Sequence, residues 1–313
     1  MLHWFGRYWY LRAQFCAIWL VLSLQEFLES KRIFLSARLG DVFMLTRFAR
    51  HFLLAVQFFT RLPITGRLAA WVGFSNPMLR ASAAHFPGVG WLVGGSTAIL
   101  FALFLTVLPS QTASVWLSAI LSTVFGVLLT GAFHEDGLAD TADGLGGGMT
   151  RDQALEIMKD SRLGTYGAIA LFLALFCKLS LLVLLSQINT LWAITGIFAA
   201  HVTSRFSPLF LIRFMQHVGD TPQSKSKPLA ETIGNTALAV GFIWWISAMA
   251  LTAHFVPAIP LWAGVLGSIV CTLYVARILQ RRLDGFTGDG LGATQQLAEI
   301  GFYLGLVLAA NNS

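Results

Sequence analysis

The chain has 313 residues, 56% of them hydrophobic and 12% charged, with a formal net charge of +6. A soluble domain carries about 25% charged residues, so this composition excludes an ordinary soluble fold and predicts an all-α, polytopic membrane bundle whose surface meets lipid. The positive balance suits basic cytoplasmic loops, not nucleic-acid binding, and Cys16, Cys177 and Cys271 are too scattered for a disulfide framework or a thiol metal site.

Residues 1–46 read as an N-terminal extension. Aromatics there interleave with Arg7 and Arg12, and no small-residue cleavage site follows the short apolar core, which argues against a signal peptide. Two readings stay open. One is an interfacial helix lying on the bilayer. The other is a start-site artefact, with Met44 as the alternative start, which makes the extension dispensable and leaves 47–313 as the membrane-embedded catalytic domain. Residues 48–62 are apolar but too short to span comfortably.

Seven apolar segments follow, at 88–108, 112–133, 165–186, 191–212, 236–256, 260–280 and 291–310. Each has about the 20 residues a helix needs to cross a hydrocarbon core. The connections near 109–111, 187–190 and 257–259 contain no Lys or Arg, whereas those on the other side carry Arg61, Arg67, Arg80, Arg151, Lys159, Arg162, Arg213, Lys225, Lys227, Arg277, Arg281 and Arg282. That asymmetry puts the second set in the cytoplasm. The expected location is the cytoplasmic (inner) membrane, with the active-site loop facing the cytoplasm. The Ser/Lys/Pro passage at 220–228 reads as a solvated loop.

One polar stretch interrupts this pattern, His134 to Gly167, with seven of the chain's 15 acidic residues. Asp136, Asp140 and Asp143 are spaced i, i+4, i+7, so on a helix they fall within about 60° of one another. Three carboxylates on one face repel unless a cation sits between them. Oxygen ligands favour a hard ion, Mg²⁺ first. Gly144, Gly146, Gly147 and Gly148 are expected to break the helix and let backbone approach an anion. Thr150 and Gln153 fit a capping box, whose helix start would face the glycines. Arg151, Lys159 and Arg162 are candidate phosphate clamps, with Arg151 equally readable as a surface charge. His134 is a candidate general base. Within the apolar segments, Lys178, Arg205 and Glu299 are costly unless they face inward and pair, and Glu299 is expected to pair with Lys178 or Arg205. Asp289, among glycines, is a candidate to complete the site from across the bundle. Carboxylates, a cation and basic groups at a membrane surface point to phosphoryl or phosphodiester transfer.

The run FHEDGLADTADGLGGG, with RDQALEIMKDSRLGTYG after it, resembles the signature of the cobalamin synthase family, the adenosylcobinamide-GDP ribazoletransferases. Secondary matches are Phe59 to Pro63, Phe86-Pro87 with Gly90, Lys178, Ser204-Arg205, Thr287 to Asp289, Leu291 to Ala293, and Glu299. The resemblance covers roughly 47–310 and implies the joining of adenosylcobinamide-GDP to α-ribazole, or its 5′-phosphate, with release of GMP and a requirement for Mg²⁺. It gives positions, to which the chemistry assigns roles. Asp136, Asp140 and Asp143 are the metal ligands. His134, Asp160 and Asp289 are the catalytic set, the two aspartates as further ligands or orienters. Arg61, Arg151, Lys159, Arg162, Gly146 and Gly147 hold substrate. Membrane lipid and other cobalamin-assembly enzymes are expected partners. Two alternatives fit the sequence less well. A CDP-alcohol phosphotransferase lacks support because Asp140 stands where that family's Arg follows Ala. A corrinoid transporter leaves the carboxylate cluster unexplained.

Overall fold

The computed structural model describes residues 44–218 and 233–310. The readings for residues 1–43 and for the passage at 220–228 lie outside the described residues. The chain divides into two units, Met1–Arg50 and His51–Ser313. In the first, residues 44–50 are helical.

The second unit carries the bundle. It opens with α1 (residues 51–59), then two short helices, α2 (Gly66–Val72) and α3 (Asn76–Ser82). A 3-10 turn at Ala83–His85 leads into α4 (Phe86–Val107), followed by α5 (Thr112–Thr130), α6 (Phe133–Gly147), α7 (Arg151–Ile157) and α8 (Thr165–Ile188). The last four are α9 (Thr190–Phe214), α10 (Asn235–Phe255), α11 (Leu261–Leu283) and α12 (Gly288–Ala310). The described residues form no strand, only an isolated bridge between His217 and Phe286. The fold is an all-α, polytopic membrane bundle.

All seven apolar segments fall on long helices. Five spans, Asn76–Val107, α5, α8, α10 and α11, are long and apolar enough to cross a membrane by length and composition. The other two, α9 and α12, are long enough but carry buried polar side chains: His201, Ser204 and Arg205 on α9, and Gln295, Gln296 and Glu299 on α12. The reason is position. These two pack against each other at the centre, with α4, α8, α10, α11 and α6 around them. The outer helices instead expose Val124 and Leu128 of α5, Phe172 and Phe176 of α8, Ile243 and Ile246 of α10, and Leu273 of α11. Apolar side chains pointing outward on helices of this length mark a lipid-facing surface. Small residues bring α11 against α12: a Cβ on Gly301 would lie 2.5 Å from the Gly267 carbonyl, the close backbone approach typical of membrane helices.

Candidate active site

The site begins where α5 ends. Gly131 (φ 67°) and Ala132 (φ 59°) both adopt the left-handed conformation. Two such residues in succession stop α5 and send the chain off as α6, a 15-residue helix too polar to span. α6 lies against the start of α12 at a glycine crossing: a Cβ on Gly137 would sit 2.8 Å from the Asp289 carbonyl and 3.2 Å from Gly292 Cα. The crossing brings Asp289 beside the acidic face of α6. Asp136 is exposed, and Asp140 and Asp289 are half-buried. Burial, then the charges of Asp289, Asp136 and Asp143 in that order, raise the Asp140 carboxyl to about 7. Among the described residues no three His, Cys, Asp or Glu side chains converge as a preformed ligand set. What the structure holds is a crowd of carboxylates whose mutual repulsion a cation would relieve.

Asp143 belongs to this face by spacing and also contacts the start of α8. It is buried, one oxygen accepting the Gly164 N–H at 2.8 Å and the other the Gly167 N–H at 2.8 Å. A carboxylate there satisfies orphan donors at the α8 N-terminus and complements its dipole. Asp289 is a further carboxylate near Asp140, its charge weighing there ahead of those of Asp136 and Asp143.

The glycines depart from expectation too. α6 runs on to Gly147, so Gly144, Gly146 and Gly147 do not break it. Their smallness admits neighbours: a Cβ on Gly144 would lie 2.8 Å from the Ala154 carbonyl, and one on Gly146 2.5 Å from the Tyr166 ring. Gly146 and Gly147 are exposed. α7 starts with the capping box read from sequence, Thr150 Oγ1 accepting from Gln153 N–H and Gln153 Oε1 from Thr150 N–H. Arg151 is an anchor: its Nε donates to the Leu283 carbonyl at 2.7 Å, at the end of α11. Arg282, which sequence reasoning passed over as a surface charge, returns the contact. It donates to the Leu145 carbonyl at 3.0 Å and the Gly148 carbonyl at 2.6 Å, holding the α6 C-terminus. Basic residues near a helix end were the available signal.

Of the remaining candidates, Asp160 and Arg162 form a surface ion pair at 2.5 Å. The Arg162 side chain's hydrogen bonds hold the Asp160 carboxyl down at about 2. Lys159 is exposed. Arg61 lies over Gly131, where a Cβ would be 2.9 Å from its guanidinium carbon, so it sits at the α5–α6 turn. His134 is buried at the start of α6, its ring parallel to Phe59 at 6.1 Å. Burial first, then Arg205, pushes its imidazole well below 6.5, which keeps the ring neutral.

Behind the site runs a buried polar chain. Gln296 Nε2 donates to Glu135 Oε1 at 2.9 Å and to Gln295 Oε1 at 3.0 Å. Gln295 Nε2 donates to Glu299 Oε2 at 2.9 Å, and Glu299 Oε1 meets Lys178 Nζ at 2.6 Å. Arg205 Nη1 lies 2.9 Å from His201 Nδ1. Two acids and two bases thus balance inside the bundle, as buried charges require.

A family model described as cobalamin-5-phosphate synthase matches residues 51–307. The chain belongs to that family. A relative from Albidiferax ferrireducens, named adenosylcobinamide-GDP ribazoletransferase, is 53% identical over 278 residues, covering 84% of this chain and 99% of its own. Relatives of the same name from Polaromonas naphthalenivorans (51% over 275 residues, covering 84% and 99%) and Vibrio cholerae (43% over 257 residues, covering 81% and 91%) are similar over the same extent. No solved structure matches. The cobalamin-5-phosphate synthase match spans every element that builds the site, from α1 through most of α12.

Proposed function

We infer that this chain is an adenosylcobinamide-GDP ribazoletransferase of the cytoplasmic membrane, its site open to the cytoplasm. The observation that carries the reading is the acidic face of α6 set against Asp289 of α12, within the stretch of sequence that carries the family resemblance. The positive-inside distribution of Lys and Arg supports the orientation. In this reaction a ribose hydroxyl of α-ribazole, or its 5′-phosphate, attacks the phosphorus next to the corrinoid arm. A new O–P bond forms, the P–O bond to GMP breaks, and the hydroxyl proton passes to a base.

Asp136, Asp140 and Asp289 would hold Mg²⁺, an ion bound through one or two carboxylates plus substrate phosphate. Bound there, Mg²⁺ supplies charge neutralisation at the phosphoryl oxygens. The chain's own residues do the rest. Asp143 fixes the end of α6 against α8, so the carboxylates keep their orientation. Arg282 and Arg151 clamp α6, α7 and α11 into one frame. Arg61, Lys159 and Arg162 are the exposed cations that draw the anionic donor in. His134, neutral and two residues ahead of Asp136, is the candidate to accept the hydroxyl proton.

The test is direct. Full-length protein in lipid nanodiscs, given adenosylcobinamide-GDP, α-ribazole and Mg²⁺, releases GMP. Failure to do so with both substrates, or release that ignores α-ribazole, contradicts the reading.

A further inference from the structure

Between α9, α10 and α11 runs a trough that no catalytic step uses. α10 packs against α9 and α4, whereas α11 packs against α12 and α9, so α9 lies beneath the gap between them. The space there is about 590 Å³, within the roughly 300–1,000 Å³ of small-molecule sites. Its floor is buried, at Thr203, Phe206 and Ser207 of α9 and Ser268 of α11, and its rim is exposed, at Phe210, Ala239 and Phe242. The walls brace one another. Phe206 stacks on Trp245 at 5.6 Å and meets Phe210 edge-on at 5.0 Å, and Trp245 Nε1 donates to Thr203 Oγ1 at 3.1 Å. The floor hydroxyls turn back on the helices: Ser207 donates to the Thr203 carbonyl at 3.2 Å and Ser268 to the Ala298 carbonyl at 2.7 Å. With these donors committed, the trough favours a hydrocarbon occupant.

Depth and charge identify that hydrocarbon. Along α10 the lining runs from Asn235 to Trp245, about 15 Å of helix, half of a hydrocarbon core of about 30 Å. Ser268, at the deep end, meets α12 ten residues after its start at Gly288, which is the same depth. At the shallow end Arg213 Nη2 donates to Asn235 Oδ1 at 3.1 Å, and Arg213 is exposed. The Val218 N–H donates to the Phe286 carbonyl at 2.8 Å, tying the chain after α9 to the start of α12, so this mouth opens on the side of Asp289. A partner helix would call for a groove of full depth. A half-depth trough with a guanidinium at its mouth matches a single acyl chain with a phosphate at its head.

We propose that this trough holds one acyl chain of a phospholipid from the leaflet bordering the candidate active site, with the lipid phosphate on Arg213. Bulk lipid is as apolar as the trough, so burial alone gives no preference for the site. The preference comes from close contact between the chain and walls of preset shape, and from charge-assisted hydrogen bonds between guanidinium and phosphate. The lodged chain fills the gap between α10 and α11 and backs α9, the helix that carries Arg205. A ligand bound only by the folded bundle stabilises it.

Native mass spectrometry of the full chain, released from nanodiscs of phosphatidylglycerol and phosphatidylcholine, tests this. Wild type carries one phospholipid per chain through detergent washing. Ala239→Phe, at an exposed rim position, fills the trough and carries at most about a tenth as much. Arg213→Gln, a surface change outside the apolar lining, binds phosphatidylglycerol about tenfold more weakly when delipidated protein is titrated with it. Glycerophosphoglycerol, the same headgroup without chains, does not compete. Wild type that retains no lipid, retention or affinity unchanged in either variant, competition by the bare headgroup, or a dimer that Ala239→Phe takes apart overturns the proposal. Retention is read without turnover, so its loss is distinct from a loss of GMP release.

Discussion

Lys178 Nζ and Glu299 Oε1 stand 2.6 Å apart in the interior of the bundle, on α8 and α12, with both side chains buried. Breaking such a pair from one side strands a charge, at a cost of about 3–5 kcal/mol. Lys178→Met and Glu299→Gln are each expected to lower the melting temperature in detergent. The double variant is expected to lose less than the sum of the singles, because their effects couple. Strict additivity would mean that the contact stabilises nothing.

Asp143 and Asp140 sit one helical turn apart and are expected to separate cleanly. Asp143→Asn loses an acceptor for one α8 N–H and should cost about 1–2 kcal/mol of stability. Asp140→Asn removes a crowded charge and should leave the melting temperature unchanged or raised. Thermal unfolding of the two variants side by side checks the contrast, and a larger loss for Asp140→Asn would reverse their roles.

The same crowding predicts a pH dependence. The folded Asp140 carboxyl titrates at about 7, above its ordinary 3.8. A group raised in this way contributes stability below its unfolded pKa and loses it as pH rises through the folded one. Metal-free protein should therefore lose stability from this group between about pH 4 and 7. Added Mg²⁺ should restore it, and most above pH 7. Melting curves across that range with EDTA or Mg²⁺ check this, and an unchanged response to Mg²⁺ at pH 5 and pH 8 would contradict it.

Arg282 holds two carbonyls at the end of α6. Arg282→Ala should loosen the junction of α6 and α7, seen as faster amide exchange at 145–153, and lower kcat by about tenfold through misplacement. Exchange unchanged in that stretch would remove Arg282 from the frame.

Much of this was legible because it is local. The capping box at Thr150 and Gln153, the run of spans and the inward pairing of Glu299 with a buried base, Lys178 or Arg205, each follow from spacing or from the cost of a charge in lipid. What was not legible depends on which partner a residue meets. Asp143 shares a helical face with Asp140 by arithmetic, but the α8 N-terminus claims both its oxygens. Gly144 and Gly146 read as a loop because isolated glycines break helices, whereas here α7 and Tyr166 press against α6 where a side chain would obstruct them. Arg282 looked like any positive-inside charge, yet it holds two carbonyls of α6 from a helix far away in sequence.

The central claim is that the carboxylates of α6 and α12 act together on a phosphate. Its most direct measurement is GMP release from adenosylcobinamide-GDP and α-ribazole by folded, membrane-embedded Asp140→Asn, with Asp289→Asn beside it. Both variants should melt no lower than wild type and lose at least about a hundredfold in kcat. Near-wild-type turnover by either one would contradict the account.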